Sequence, residues 1–137
     1  MDGNLVFQIF HGAMDFATEF DSTEDELFWN CHNAISSILS RRMNMDCVYY
    51  IGVTECPHVR FYDEDIGHCK NYEHMYLLGV ACTGQVVCNV ETRLIAERRG
   101  IDSRCKNRGL GGERVAKSFK LFRFFYLCTA SMEFLLL

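Results

Sequence analysis

Residues 24–41 constrain the fold most. Leu27, Phe28, Cys31, Ala34, Ile35, Ile38 and Leu39 recur there at helical spacing. Ser22 or Thr23 offers an N-cap, Glu24, Asp25 and Glu26 put negative charge on the first turn, and Arg41 and Arg42 close the far end. A helix with one apolar stripe owes its stability to packing, so the stripe must press against other elements. The chain of 137 residues has room for one such core and rules out two full-sized domains. With 49% hydrophobic residues and a single proline, Pro57, it is not a disordered segment.

The remaining elements are shorter. Residues 5–10 are β-prone, and 47–53 read as a buried strand followed by a turn at 54–57. Pro57 suits the first turn of a helix over 57–65, and a further helix is expected at 72–80. Val86, Val87, Val90, Leu94 and Ile95 define another, closed by Arg98, Arg99 and Gly100. A glycine-rich basic loop at 101–114 then leads to a last strand at 122–128. No repeat, low-complexity tract or linker interrupts this order.

Charge is distributed unevenly. The net charge of −4 suggests no nucleic-acid partner, yet residues 1–40 hold seven acids and no Lys or Arg, leaving 41–137 at +3. Residues 91–123 carry ten basic side chains against four acids, a local +6, which marks an anion-binding face or a solvated helix and loop. The eight cysteines form no C-x-x-C pair, and the start lacks the basic and apolar regions of a signal peptide. They read as reduced, mostly buried small hydrophobes, which places the chain inside the cell in a reducing compartment. Cys56, His58, His68 and Cys69 have zinc-ligand chemistry, but their spacing argues against zinc. The most apolar stretch, 124–137, is 14 residues long and contains Glu133, so no transmembrane segment is expected. Its end, Phe-Leu-Leu-Leu, needs cover from the domain or a partner.

Glu91 stands out on the helix around it. It lies four residues after Val87 and three before Leu94, along the edge of the apolar stripe, where a carboxylate must be offset by an ion pair, hydrogen bonds or a metal. An ordinary ion pair with Arg60 or an arginine of its own helix would satisfy it. The surrounding order adds a second meaning. Tyr50-Ile51-Gly52 ends a strand, Arg60 follows ten residues after the tyrosine, and Asn107 comes sixteen after Glu91. This order resembles the GIY-YIG nuclease domain over residues 47–129. The run CKNRGLGGE at 105–113 resembles the Asn- and Gly-rich segment of atypical, stand-alone members from protists and viruses.

The resemblance implies an α+β fold, a small antiparallel β-sheet flanked by helices over residues 47–129, with an acidic N-terminal extension at 1–46 that carries the amphipathic helix in front and an apolar tail at 130–137 behind. It implies a metal-dependent endonuclease, or a degenerate relative, cleaving a phosphodiester with one divalent cation. Glu91 would hold Mg²⁺ or Mn²⁺, Tyr50 would activate the attacking water, and Arg60 would stabilise charge on the phosphate. His74, or less readily His68, would carry the proton. Asn107 would brace the loop, while Arg108, Gly111, Gly112 and Arg114 would approach the phosphate. No organic cofactor is implied, and the partner would be nucleic acid. The family's first half-motif, Gly-Ile-Tyr, is not recognisable before Tyr50; residues 5–10, with Phe for Tyr, are the available substitute. That departure, with the acidic helix and greasy tail, supports an alternative: a non-catalytic accessory subunit docked in a larger protein assembly. A small zinc-binding redox protein is a third reading.

Overall fold

A computed structural model describes residues 6–9, 23–41, 47–82, 84–111 and 122–132. The described elements are β1 (Val6–Ile9), α1 (Glu24–Arg41), β2 (Cys47–Thr54), α2 (Pro57–Tyr62), a 3-10 turn (His68–Lys70), β3 (His74–Ala81), α3 (Gly84–Arg99) and β4 (Arg123–Ser131). Local chemistry accounts for the start of α1. Thr23 Oγ1 accepts from the Glu26 amide and donates to the Glu26 carboxylate, both at 3.2 Å, which caps the first turn. The seven apolar residues of the predicted stripe are all buried. The helix after Pro57 ends at Tyr62, earlier than expected, because the Asp63 carboxylate accepts from the amides of Asp65 and Ile66 and turns the chain.

The expected helix at 72–80 is a strand instead. His74–Ala81 lies between β1 and β4 and is buried on both faces. A strand covered on both sides reads as a continuous apolar run without alternation, and periodicity does not separate it from a short buried helix. The sheet order is β1-β3-β4-β2. β3, β4 and β2 form an antiparallel sheet, with Tyr50 opposite Cys128 and Met75 also opposite Cys128, and β1 adds in parallel beside β3. The segment 5–10 therefore does not replace the missing half-motif beside Tyr50, since two strands separate β1 from β2.

Side-chain alternation divides the interior in two. On one face Tyr49, Ile51, Leu78, Phe125 and Leu127 meet the stripes of α1 and α3. On the other, Val48, Met75, Leu77, Tyr126, Cys128 and Ala130 meet Phe61 of α2 and Tyr72. Buried Arg98 ties α3 to α1 through the His32 carbonyl (3.2 Å) and the Ser36 hydroxyl (2.8 Å). All eight cysteines are free thiols, and five of them are buried. Among the described residues no helix is long and apolar enough to cross a membrane.

The outer edge of β2 is covered by the segment after α3. Tyr49 donates its amide to the Arg104 carbonyl at 2.9 Å and accepts from the Lys106 amide at 2.8 Å. The Asn107 side chain continues this pattern, accepting from the Ile51 amide at 2.9 Å and donating to the Ile51 carbonyl at 2.7 Å. An edge that would otherwise invite other strands is thus closed as far as Ile51.

Candidate functional site

β2 carries Tyr50 on the face opposite α1 and α3, and α2 brings Arg60 to it. The Arg60 guanidinium lies close to the Tyr126 and Tyr50 phenols, and its Nη1 donates to the Ile66 carbonyl at 3.4 Å. The 3-10 turn places the His68 ring 4.9 Å from that of Tyr50, and His68 Nε2 is joined to the Tyr126 hydroxyl at 2.7 Å. Burial raises the Tyr50, Tyr72 and Tyr126 phenols, Tyr72 to about 12.

Gly52 explains how this cluster packs. It sits opposite Tyr126, and a Cβ at this position would overlap the Tyr126 ring carbon Cζ and the hydroxyl oxygen. The glycine of Tyr50-Ile51-Gly52 therefore makes room for an aromatic ring that crosses it. Glycine inside a strand signals such an approach, but not which residue approaches.

Glu91 stands on α3, which packs on the sheet face opposite Tyr50, and its charge adds a smaller upward push on the Tyr50 phenol than burial does. The residue is only 8% exposed, and Gly111 packs directly on its carboxylate. A Cβ on Gly111 would lie 2.5 Å from Glu91 Cδ and Oε1, and φ at Gly111 is 74°. The backbone of the glycine-rich loop thus covers the carboxylate.

Other expected site residues lie elsewhere. His74 pairs opposite Thr129, shares its face with Tyr76 and stacks on that ring at 5.9 Å, so it stands on the far side of the sheet from Tyr50. The histidine beside Tyr50 is His68, held by a turn whose position depends on long-range packing. Arg108 is exposed, with its carbonyl accepting from Arg99 at 2.6 Å. Gly112 and Arg114 lie outside the described residues.

These positions overturn the metal reading. Among the described residues no group of three or more His, Cys, Asp or Glu side chains could hold a metal ion, at Glu91 or at Cys56, His58, His68 and Cys69. A hard divalent cation prefers several carboxylate, carbonyl or water oxygens. Among the described residues, the groups around Tyr50 are instead phenols, an imidazole and a guanidinium. Single-metal phosphodiester cleavage, and dependence on Mg²⁺ or Mn²⁺, are not supported by this arrangement.

The cluster has a pH signature. Burial, and secondarily the Arg60 charge, pushes the His68 imidazole down to about 4. A depressed folded value means that the unfolded chain takes the proton first. His68 therefore stabilises the fold fully above pH ~6.5, and the contribution is lost as pH falls towards 4. The full loss amounts to about 3 kcal/mol. Urea titrations from pH 7 to 4 on the chain and on His68→Gln are expected to show a steeper decline in the parent. Parallel declines would show that His68 does not titrate this way.

No protein-family model, curated protein or solved structure matches the chain.

Proposed function

We propose that the chain is a non-catalytic accessory module, GIY-YIG-like in layout, that docks in a larger protein assembly through its N-terminal helix and C-terminal tail. The observation that carries this reading is the covered Glu91 carboxylate: the loop that would admit a phosphate in an active relative lies on it through Gly111. Tyr50, Arg60 and His68 serve instead as a packed polar network behind β2.

Two features favour docking. α1 commits its apolar stripe to its own core, yet Trp29 remains 51% exposed on the outer face. It is held edge-on by Phe28 at 5.1 Å and His32 at 5.4 Å, while the Arg93 guanidinium lies 3.8 Å from the centre of the Phe28 ring. A Trp fixed in this way, with an Arg nearby, has the composition of an interface anchor. The sequence of the tail, Glu-Phe-Leu-Leu-Leu, supplies the second contact.

Co-purification of the tagged chain from its own cells tests the proposal. A partner recovered in stoichiometric amounts is expected to be lost on deletion of residues 132–137. It is expected to bind about 30-fold more weakly to Trp29→Ala, equivalent to about 2 kcal/mol. A stable, unpartnered monomer, or a partner indifferent to both changes, would reject the reading.

A further inference from the structure

A cleft opens where β2 ends. Val53 and Glu55 form one side, Val59, Arg60 and Ile66 stand opposite, and Arg123 enters β4 beside them, enclosing about 330 Å³. This volume lies near the lower limit for ligand pockets, roughly 300–1,000 Å³. Its walls are mainly aliphatic, and two of them face outward, Val59 at 54% exposure and Ile66 at 70%.

The charges in the cleft are unequal. Arg123 is paired with Glu55 at 2.6 Å. Arg60 makes no ion pair among the described residues; its Nη1 donates to the Ile66 carbonyl at 3.4 Å, and two phenols lie nearby. A partly buried guanidinium without a counter-charge favours an incoming anion.

Beside the cleft, the strand edge pairs with no described residue. Along β2 the residues whose backbone groups point outward are Tyr49, Ile51 and Val53. Tyr49 is bonded to Arg104 and Lys106, and Ile51 to Asn107. For Val53 no outward backbone bond is made to any described residue. Among the described residues, cover of β2 therefore stops one step short, at the point where the aliphatic walls and Arg60 begin.

We infer that this cleft receives an extended acidic–apolar segment of a protein partner, which pairs with Val53, seats an aliphatic side chain between Val59 and Ile66, and sets a carboxylate against Arg60. Strand addition supplies main-chain bonds, and the adjoining pocket supplies specificity. Aliphatic walls suit a side chain better than a bare phosphate, and the unmatched guanidinium selects an acidic neighbour. The inference rests on the accessory-module reading for the existence of a protein partner, and it assigns that partner a contact on different elements from Trp29.

The test uses the full chain and a fluorescein-labelled octapeptide of alternating aspartate and isoleucine, read by anisotropy and by amide exchange. Substituting asparagine for aspartate in the peptide is expected to weaken binding at least tenfold. Val59→Asp is expected to do the same while leaving the unfolding midpoint unchanged, and Glu55→Gln to tighten binding severalfold by removing the competing carboxylate. The Val53 amide is expected to gain exchange protection on binding. Equal affinity for the asparagine peptide, indifference to Val59→Asp, or an unprotected Val53 amide would overturn the inference. So would equally effective competition by an octathymidylate, which would make the cleft a general anion site. Because the peptide is tested on the isolated chain, its failure leaves the partner co-purification result standing. Conversely, loss of the co-purification result would not explain a failure of the peptide to bind.

Discussion

Gly52→Val is expected to destabilise the fold by about 5 kcal/mol, enough to leave little native protein at 25 °C. Intrinsic preference points the other way, since valine is favoured in strands and glycine weakens them. Packing decides the sign. A Cβ at position 52 would occupy space taken by the Tyr126 ring, with Cε2 at 2.8 Å and the hydroxyl end closer still. The far end of that ring is not free to swing, because its hydroxyl is bonded to His68 at 2.7 Å. Displacing it exposes a buried aromatic to water and breaks the buried bond between its hydroxyl and His68. The double variant Gly52→Val/Tyr126→Ala isolates this cause. Tyr126→Ala alone is expected to cost about 4 kcal/mol, and adding Gly52→Val to it less than about 1 kcal/mol more. Denaturant titration of the four proteins reads the coupling. Additive losses would show that the ring contact does not account for the glycine.

The same region shows which parts of the molecule are written locally. The start of α1 was legible because the Thr23 cap and the stripe from Leu27 to Leu39 lie within one segment. Tyr50, Arg60 and Glu91 were singled out by a resemblance of motif order, and the fold sets Glu91 on α3, across the sheet from Tyr50. The choice between His74 and His68 was not legible locally. It depends on the strand register that pairs His74 with Thr129, and a shift of one residue would reverse the face on which His74 stands. β3 was misread because burial on both faces erases the period of two. Closure of the Glu91 position was equally hidden. It arises from contact with Gly111, twenty residues further on, and only the folded loop shows that its glycine faces the carboxylate rather than a phosphate. The cleft at Val53 is assembled from the ends of three elements, so no single stretch announces it.

Asn107→Leu is expected to cost about 4 kcal/mol, from the two buried backbone groups it would leave without partners. Asn107 acts as a substitute for main chain. One amide oxygen and one amide nitrogen satisfy Ile51 as a neighbouring strand would, where the covering segment has begun to leave β2. Leucine fills a similar space and offers neither group. Asn107→Asp separates the two bonds, because a carboxylate can accept from the Ile51 amide but cannot donate to the Ile51 carbonyl, and it buries a charge against that oxygen. Its loss is therefore expected to match or exceed that of leucine at neutral pH and to shrink in acid, where the protonated carboxyl regains a donor. Hydrogen exchange at the Ile51 amide distinguishes the two variants, with protection lost in Asn107→Leu and retained in Asn107→Asp. If both variants unfold at the parent's denaturant midpoint, Asn107 does not hold the edge of β2, and cover of Glu91 by Gly111 must be maintained by other contacts of the loop.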